Sequence, residues 1–297
     1  MKKALIVSDG KKGHLNQSIA FCNYLDIPYE IVDVRFKNRF FKWLSYLLDH
    51  VRIYTLGLLH TEPLARTSYS TVVCAGSGTY YAAKCYSEAW GAKSIAMMLP
   101  KGYSYDFDLI FAQIHDNPPR DKNILPIPAN FSYVTPQGIY VPKKKQAIGI
   151  VIGGDNKVFT FSAQRLKKQL DTIQALYPDY EVAITTSPRT SSQIETLIEG
   201  YGFAYEVIFS KNPINPIPDF LAGCETVFIT ADSTSMISEA ISYGQANVVV
   251  LPLDAKEENK FTRFVQRLKH EGYLDVFDGT RGDKNRKIDF RKYLQGI

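Results

Sequence analysis

The sequence predicts an α/β protein made of two doubly wound halves in tandem. Short apolar runs of strand length alternate with amphipathic runs of helix length. This alternation breaks in a proline-rich stretch and then starts again. The 297 residues also suit two domains at roughly 100–200 residues each.

In order, Leu5–Val7 reads as a buried parallel strand ended by Asp9-Gly10, and Leu15–Leu25 as a helix with Leu15, Ile19, Cys22 and Leu25 on one face. Tyr29–Val34 completes a βαβ start. Val72–Ala75 is a further strand, leading through Gly76-Ser77-Gly78 into a helix from Thr79 to about Trp90. Ser94–Met98 and Leu109–Ala112 are short strands, and the proline-rich run Pro118–Pro142 reads as loop and linker. The second half repeats the scheme. Its predicted strands are Ala147–Ile152, Glu181–Thr185, Tyr205–Phe209, Thr226–Thr230 and Asn247–Leu251. Its predicted helices are Ser162–Leu176, Ser191–Gly200, Ile217–Ala222, Ser233–Tyr243 and Lys260–Glu271. Residues 1–142 are thus expected to form one domain and 143–297 the other, with a last helix able to pack back on the first.

Composition narrows the function classes. Apolar residues are 45% and charged residues 22%, ordinary for a packed globular chain. The formal charge of +5 suits a phosphorylated ligand or an anionic membrane surface, and no nucleic-acid-binding signature accompanies it. Cys22, Cys74, Cys85 and Cys224 are scattered without a CxxC pair, which argues against a zinc site or disulfide framework and for a reducing cytosol. The start of the chain reads as a first strand rather than a signal peptide, and no apolar run is long enough to span a bilayer. A cytoplasmic location is the expectation.

In doubly wound sheets, ligands gather at the carboxyl ends of the strands. Four loops lie there. Gly10, Lys12, Gly13, Asn16 and Gln17 surround His14, where a helix start can face an anion and imidazole can act as acid or base, though an ordinary glycine turn has the same pattern. Gly153-Gly154-Asp155-Asn156-Lys157 can cradle phosphate or make a tight turn. Thr186 and Arg189 stand in a hydroxyl-rich loop where arginine can grip phosphate, or where Thr190 or Ser191 caps a helix. Asp232-Ser233-Thr234-Ser235-Met236 opens a helix that carries Glu239. Its small polar residues and free N–H groups suit a diphosphate, and the glutamate suits a ribose diol. Asp9 and Asp116 are further acid–base candidates, although a loop His115-Asp116 is more often structural. No HExxH is present, and no metal or other cofactor is expected. Arg35–Trp43 interleaves cations with large apolar residues. It reads either as a segment for anionic lipid or as a core helix with outward cations.

The segments Ser8–Gln17, Ile152-Gly153-Gly154, Thr185–Thr190, Asn215-Pro216 and Thr230–Ala240 together resemble the mitochondrial-fission Elm family, widespread in bacteria and regarded as glycosyltransferase-like. A more distant similarity is to the GT-B enzyme that adds N-acetylglucosamine to the lipid-linked peptidoglycan precursor. The resemblance implies a GT-B-like fold with two Rossmann-like domains and an interdomain cleft. It further implies a nucleotide-sugar donor on the C-terminal half and a glycan or lipid-linked acceptor beside Gly13-His14, in cell-surface polysaccharide synthesis. Pro188 stands where the Elm pattern usually has a second arginine, so only Arg189 is carried over, and Asp155-Asn156-Lys157 replaces a Ser-Gln type turn. An epimerase of the same fold and a non-catalytic interaction protein are the alternatives.

Overall fold

The computed structural model describes residues 3–64, 69–156, 158–255 and 259–296. The chain divides into unit 1, Met1–Tyr133 with Phe290–Ile297, and unit 2, Val134–Asp289.

Unit 1 carries β1 (Ala4–Ser8), α1 (Lys12–Tyr24), β2 (Tyr29–Phe36), α2 (Arg39–His50), β3 (Leu59–Thr61), β4 (Thr71–Cys74), α3 (Tyr80–Trp90), β5 (Lys93–Ala96), β6 (Leu109–Gln113) and β7 (Ile124–Ile127). Its sheet has the order β3-β2-β1-β4-β5-β6-β7. All neighbours are parallel except β3, which runs antiparallel to β2 at the edge. The interior strand β1 is buried along its whole length, as a parallel strand covered on both faces must be. The apolar cluster around Leu5, Val7, Val72 and Ile110 fills one side of the sheet beneath α3.

Unit 2 carries β8 (Ala147–Ile152), β9 (Phe159–Thr160), α4 (Ala163–Leu176), β10 (Glu181–Thr186), α5 (Ser192–Glu199), β11 (Tyr205–Val207), α6 (Ile217–Gly223), β12 (Thr226–Thr230), α7 (Thr234–Ser242), β13 (Asn247–Leu251), β14 (Asp254–Ala255), α8 (Lys260–His270) and β15 (Asp275–Val276). Its main sheet is fully parallel in the order β11-β10-β8-β12-β13-β15, and β9 pairs with β14 in a separate antiparallel ribbon. In each main sheet the direction of winding reverses beside the unit's first strand. The reversal falls between β1 and β4 in unit 1 and between β8 and β12 in unit 2.

Three details differ from the sequence expectation. Helix α1 begins at Lys12, so Gly13 and His14 lie in its first turn rather than in a loop. The run 118–142 contains strand β7, paired with β6. Unit 2 begins at Val134, ahead of the expected break after Pro142, because the Asp219 carboxylate accepts backbone N–H bonds from Gln137, Gly138, Ile139 and Tyr140 at 2.9–3.3 Å. These bonds satisfy a run of donors that a free linker would leave to water.

Candidate functional site

The reversal point of the unit 2 sheet is organised around one buried carboxylate. Asp232 follows β12 with a side chain 0% exposed. It accepts bonds from Thr230 Oγ1 at 2.7 Å, Gly154 N at 3.2 Å and Arg189 Nη2 at 2.6 Å. Arg189 also donates through Nη1 to the Gly154 carbonyl at 3.2 Å, and Asn156 donates to the Asp232 carbonyl at 3.1 Å. Thr190 closes the ring by donating to the Gly153 carbonyl at 2.6 Å. A charge with this many donors can remain buried because its lost hydration is replaced.

This geometry changes the meaning of the glycine pair. The Gly153 N–H is taken by Thr230 Oγ1 at 2.7 Å, and the Gly154 N–H by Asp232. A Cβ on Gly153 would lie 2.1 Å from Asp232 Oδ1, and one on Gly154 would lie 1.9 Å from the Arg189 carbonyl oxygen. The glycines are therefore needed for loop-to-loop packing, and their N–H groups are not aimed at a phosphate. Lys157, expected beside them, lies outside the described residues. Thr186 is also internal: buried, it accepts from Phe209 N at 2.8 Å and donates towards Glu195.

What faces outward is the start of α7. Ser233 Oγ caps the Met236 N–H at 3.3 Å. The Thr234 and Ser235 N–H groups have no intrahelical acceptor, as at any helix start. Ser233, Thr234, Ser235, Met236 and Glu239 share the partly exposed side of the helix, while Ile237, Ser238, Ala240 and Ile241 are buried. Arg189 stays 43% exposed, so the outer edge of its guanidinium is available beside this helix start. Glu239 keeps a little exposed surface but is mostly enclosed by protein. Burial pushes its carboxyl up to about 7, and no described side chain bonds it.

The reversal point of the unit 1 sheet holds a second group. Asp9, after β1, accepts from His14 Nδ1, which stands 3.1 Å from both carboxylate oxygens, and Lys11 Nζ lies 3.2 Å away. A carboxylate only accepts, so Nδ1 carries a proton, and in the neutral ring Nε2 is the acceptor. Gly10 makes the turn at φ +76°, with its N–H on Ser8 Oγ. The imidazole lies against Gly76, where a Cβ would come within 2.3 Å of the ring, and Gly78 fits against Asp9 in the same way at 2.9 Å. The part played by Gly76 and Gly78 was missed from sequence, although a Gly-x-Gly directly after a strand was the available signal.

The other expected residues fall into two groups. Lys12 and Asn16 are exposed at the start of α1. Gln17 is buried, donating to the Gly13 carbonyl and accepting from Gln113 at 3.1 Å, so it joins α1 to β6 rather than facing a ligand. Asp116 is engaged by Lys101 at 2.8 Å, which leaves Asp9–His14 as the better-formed acid–base pair. Among the described residues no group of three or more His, Cys, Asp or Glu gathers as a metal site would require, and no helix is long and apolar enough to cross a membrane.

Residues 12–292 match the family described as Mitochondrial fission ELM1. The uncharacterized protein RP120 of Rickettsia prowazekii (strain Madrid E) is 22% identical over 319 residues, covering 92% of this chain and 90% of its own length. A Listeria monocytogenes protein assigned as a UDP-N-acetylglucosamine 2-epimerase is 11% identical and has a TM-score of 0.52, with 94% of this chain and 85% of that one covered. MurG from Acinetobacter baumannii is 12% identical with a TM-score of 0.47, covering 95% and 87%. The two doubly wound sheets are GT-B-like.

Proposed function

We propose that this chain, which belongs to the Mitochondrial fission ELM1 family, is a glycosyltransferase that moves a sugar from a nucleotide-sugar donor to a glycan or lipid-linked acceptor. Unit 2 binds the donor at the α7 start, and unit 1 carries the Asp9–His14 acid–base pair. The observation that carries the reading is the start of α7, where the Thr234 and Ser235 N–H groups lie outside the helix's own bonding, near the partly exposed Arg189 and on the helix that carries the largely enclosed Glu239. A largely enclosed carboxylate is costly to ionise, and a ribose diol would offer it hydrogen-bond donors. The helix start and the outer edge of Arg189 then meet the diphosphate, whose charge grows as it leaves.

In the proposed step an acceptor hydroxyl oxygen bonds to the anomeric carbon. The bond from that carbon to the diphosphate breaks, and its electron pair leaves with the nucleoside diphosphate. The acceptor proton passes to a base, and the Asp9–His14 pair has the chemistry for that role, with Asp9 holding the ring and balancing an imidazolium. Positive charge for the leaving group comes from protein donors, so we propose a metal-independent reaction, and a chelator should leave turnover unchanged.

Calorimetry against a panel of nucleoside diphosphates tests the donor site. Glu239→Ala should weaken the best binder by roughly tenfold or more, since a hydrogen bond to a charged group is worth about 1.5–3 kcal/mol. Unchanged affinity would remove the donor placement. His14→Ala should leave that affinity nearly intact and lower turnover by about 10²–10⁴. Nucleotide-sugar that isomerises without any acceptor would identify an epimerase instead.

A further inference from the structure

In unit 1 a basic cavity adjoins an exposed apolar stripe. The cavity holds about 590 Å³, and its lining sets Lys11, Arg35, Lys37, Arg39 and Lys42 against Asp9 and Asp33. Lys11 is held by Asp9, and Lys42 reaches Ser77 Oγ at 3.1 Å. Among the described residues no carboxylate pairs with Arg35, Lys37 or Arg39. Arg39 and Lys42 also stand in the opening turns of α2, at the positive end of its dipole, with no acidic residue in the first turn. That placement is unfavourable for the isolated helix and favourable for bound anions.

The same helix buries polar side chains. Its fully buried positions are Ser45 and Asp49. Ser45 Oγ meets Tyr103 OH at 2.9 Å, and Asp49 accepts from Lys84 Nζ and from Ser104 N, both at 2.6 Å. Phe41, Leu44 and Leu48 pack partly on the core. Outward, by contrast, stand Phe40 (59% exposed), Trp43 (55%), Leu47 (47%) and, just beyond the helix, Val51 (63%). The spacing puts them along one side, and the Phe40 and Trp43 rings lie 6.0 Å apart. Internal polar bonds fix α2 with this stripe turned to solvent.

We propose that α2 docks unit 1 on an anionic phospholipid bilayer, with the Phe40–Trp43–Leu47 stripe among the upper acyl chains and the basic cavity against the headgroup phosphates. Charge complementarity selects this occupant. An apolar partner protein would account for the stripe but not for unpaired cations lining an open hollow, whereas an anionic interface uses both. The proposal does not depend on the transferase reading, since a catalytically dead protein would still dock.

The test floats the purified full chain with vesicles of phosphatidylcholine alone or mixed with phosphatidylglycerol. The chain should rise with the mixed vesicles, less so as salt increases, and stay down with phosphatidylcholine alone. In a Trp90→Phe background, Trp43 emission should shift to the blue on the mixed vesicles. Phe40→Ser/Trp43→Ser and, separately, Arg35→Gln/Lys37→Gln should each lower partitioning roughly tenfold or more. All four side chains lie at the surface, and circular dichroism checks that the variants fold. Failure to float, equal floating with neutral vesicles, or unchanged floating of either variant would overturn the proposal. So would a dimer in sedimentation that the stripe variant abolishes, because a second copy would then be the occupant.

Discussion

Glu239 titrates in a window where its protonation can be read directly. An unfolded glutamate releases its proton near 4.5, whereas burial lets the folded one hold it to about 7. Between those values the folded state binds more protons, so stability should fall as pH rises, and the penalty is complete above about 7. Glu239→Gln removes the titration. The variant should match the parent below pH ~4.5 and exceed it by roughly 1–3 kcal/mol at pH ~8, read from denaturant melts at both pH values. A constant difference at both would show that the carboxyl is not desolvated. Asp232 is held differently, since its carboxylate accepts bonds from Gly154, Thr230 and Arg189. Asp232→Ala orphans donors on Gly154, Thr230 and Arg189 and should destabilise the protein by roughly 2–4 kcal/mol.

At the scale of loops and helices, close approach accounts for the glycines. Gly154→Ala drives a methyl into the Arg189 backbone, and a loss of roughly 1–3 kcal/mol is expected in a melt. Gly76→Ala would push the His14 ring away from Asp9 and should lower turnover while leaving nucleotide affinity unchanged. The core strands and most helices were legible as runs of amino acids because buried parallel strands are continuously apolar and amphipathic helices are periodic. Strand β7 was not, since prolines within 118–142 mask a short edge strand. Neither was the role of the glycine pair. Gly153 and Gly154 mark a close approach in the sequence, but their partners Thr230 and Asp232 stand 77 and 78 positions away, and only folding shows that these groups use the N–H bonds. The Asp9–His14 pair, by contrast, was within reach because both residues flank one turn.

For the whole molecule, the two-half organisation was legible from the restart of the strand–helix pattern, whereas the unit boundary was not. Asp219, distant in sequence, captures the segment that composition marks as linker. Each unit places its candidate residues where the winding of its sheet reverses, a consequence of topology that strand order reveals and sequence order does not. Specificity for one nucleotide should appear as ligand-dependent stabilisation, about 2.7 kcal/mol at a hundredfold excess over Kd, in a thermal-shift panel. Hydrogen exchange with and without the best-binding nucleoside diphosphate then locates the site. Protection should concentrate on the peptide that contains Thr234 and Ser235, with slower exchange at the Arg189 loop, and should need roughly tenfold more ligand or beyond in Glu239→Ala. Protection confined to other peptides, or none at saturating ligand, would contradict donor binding at the start of α7.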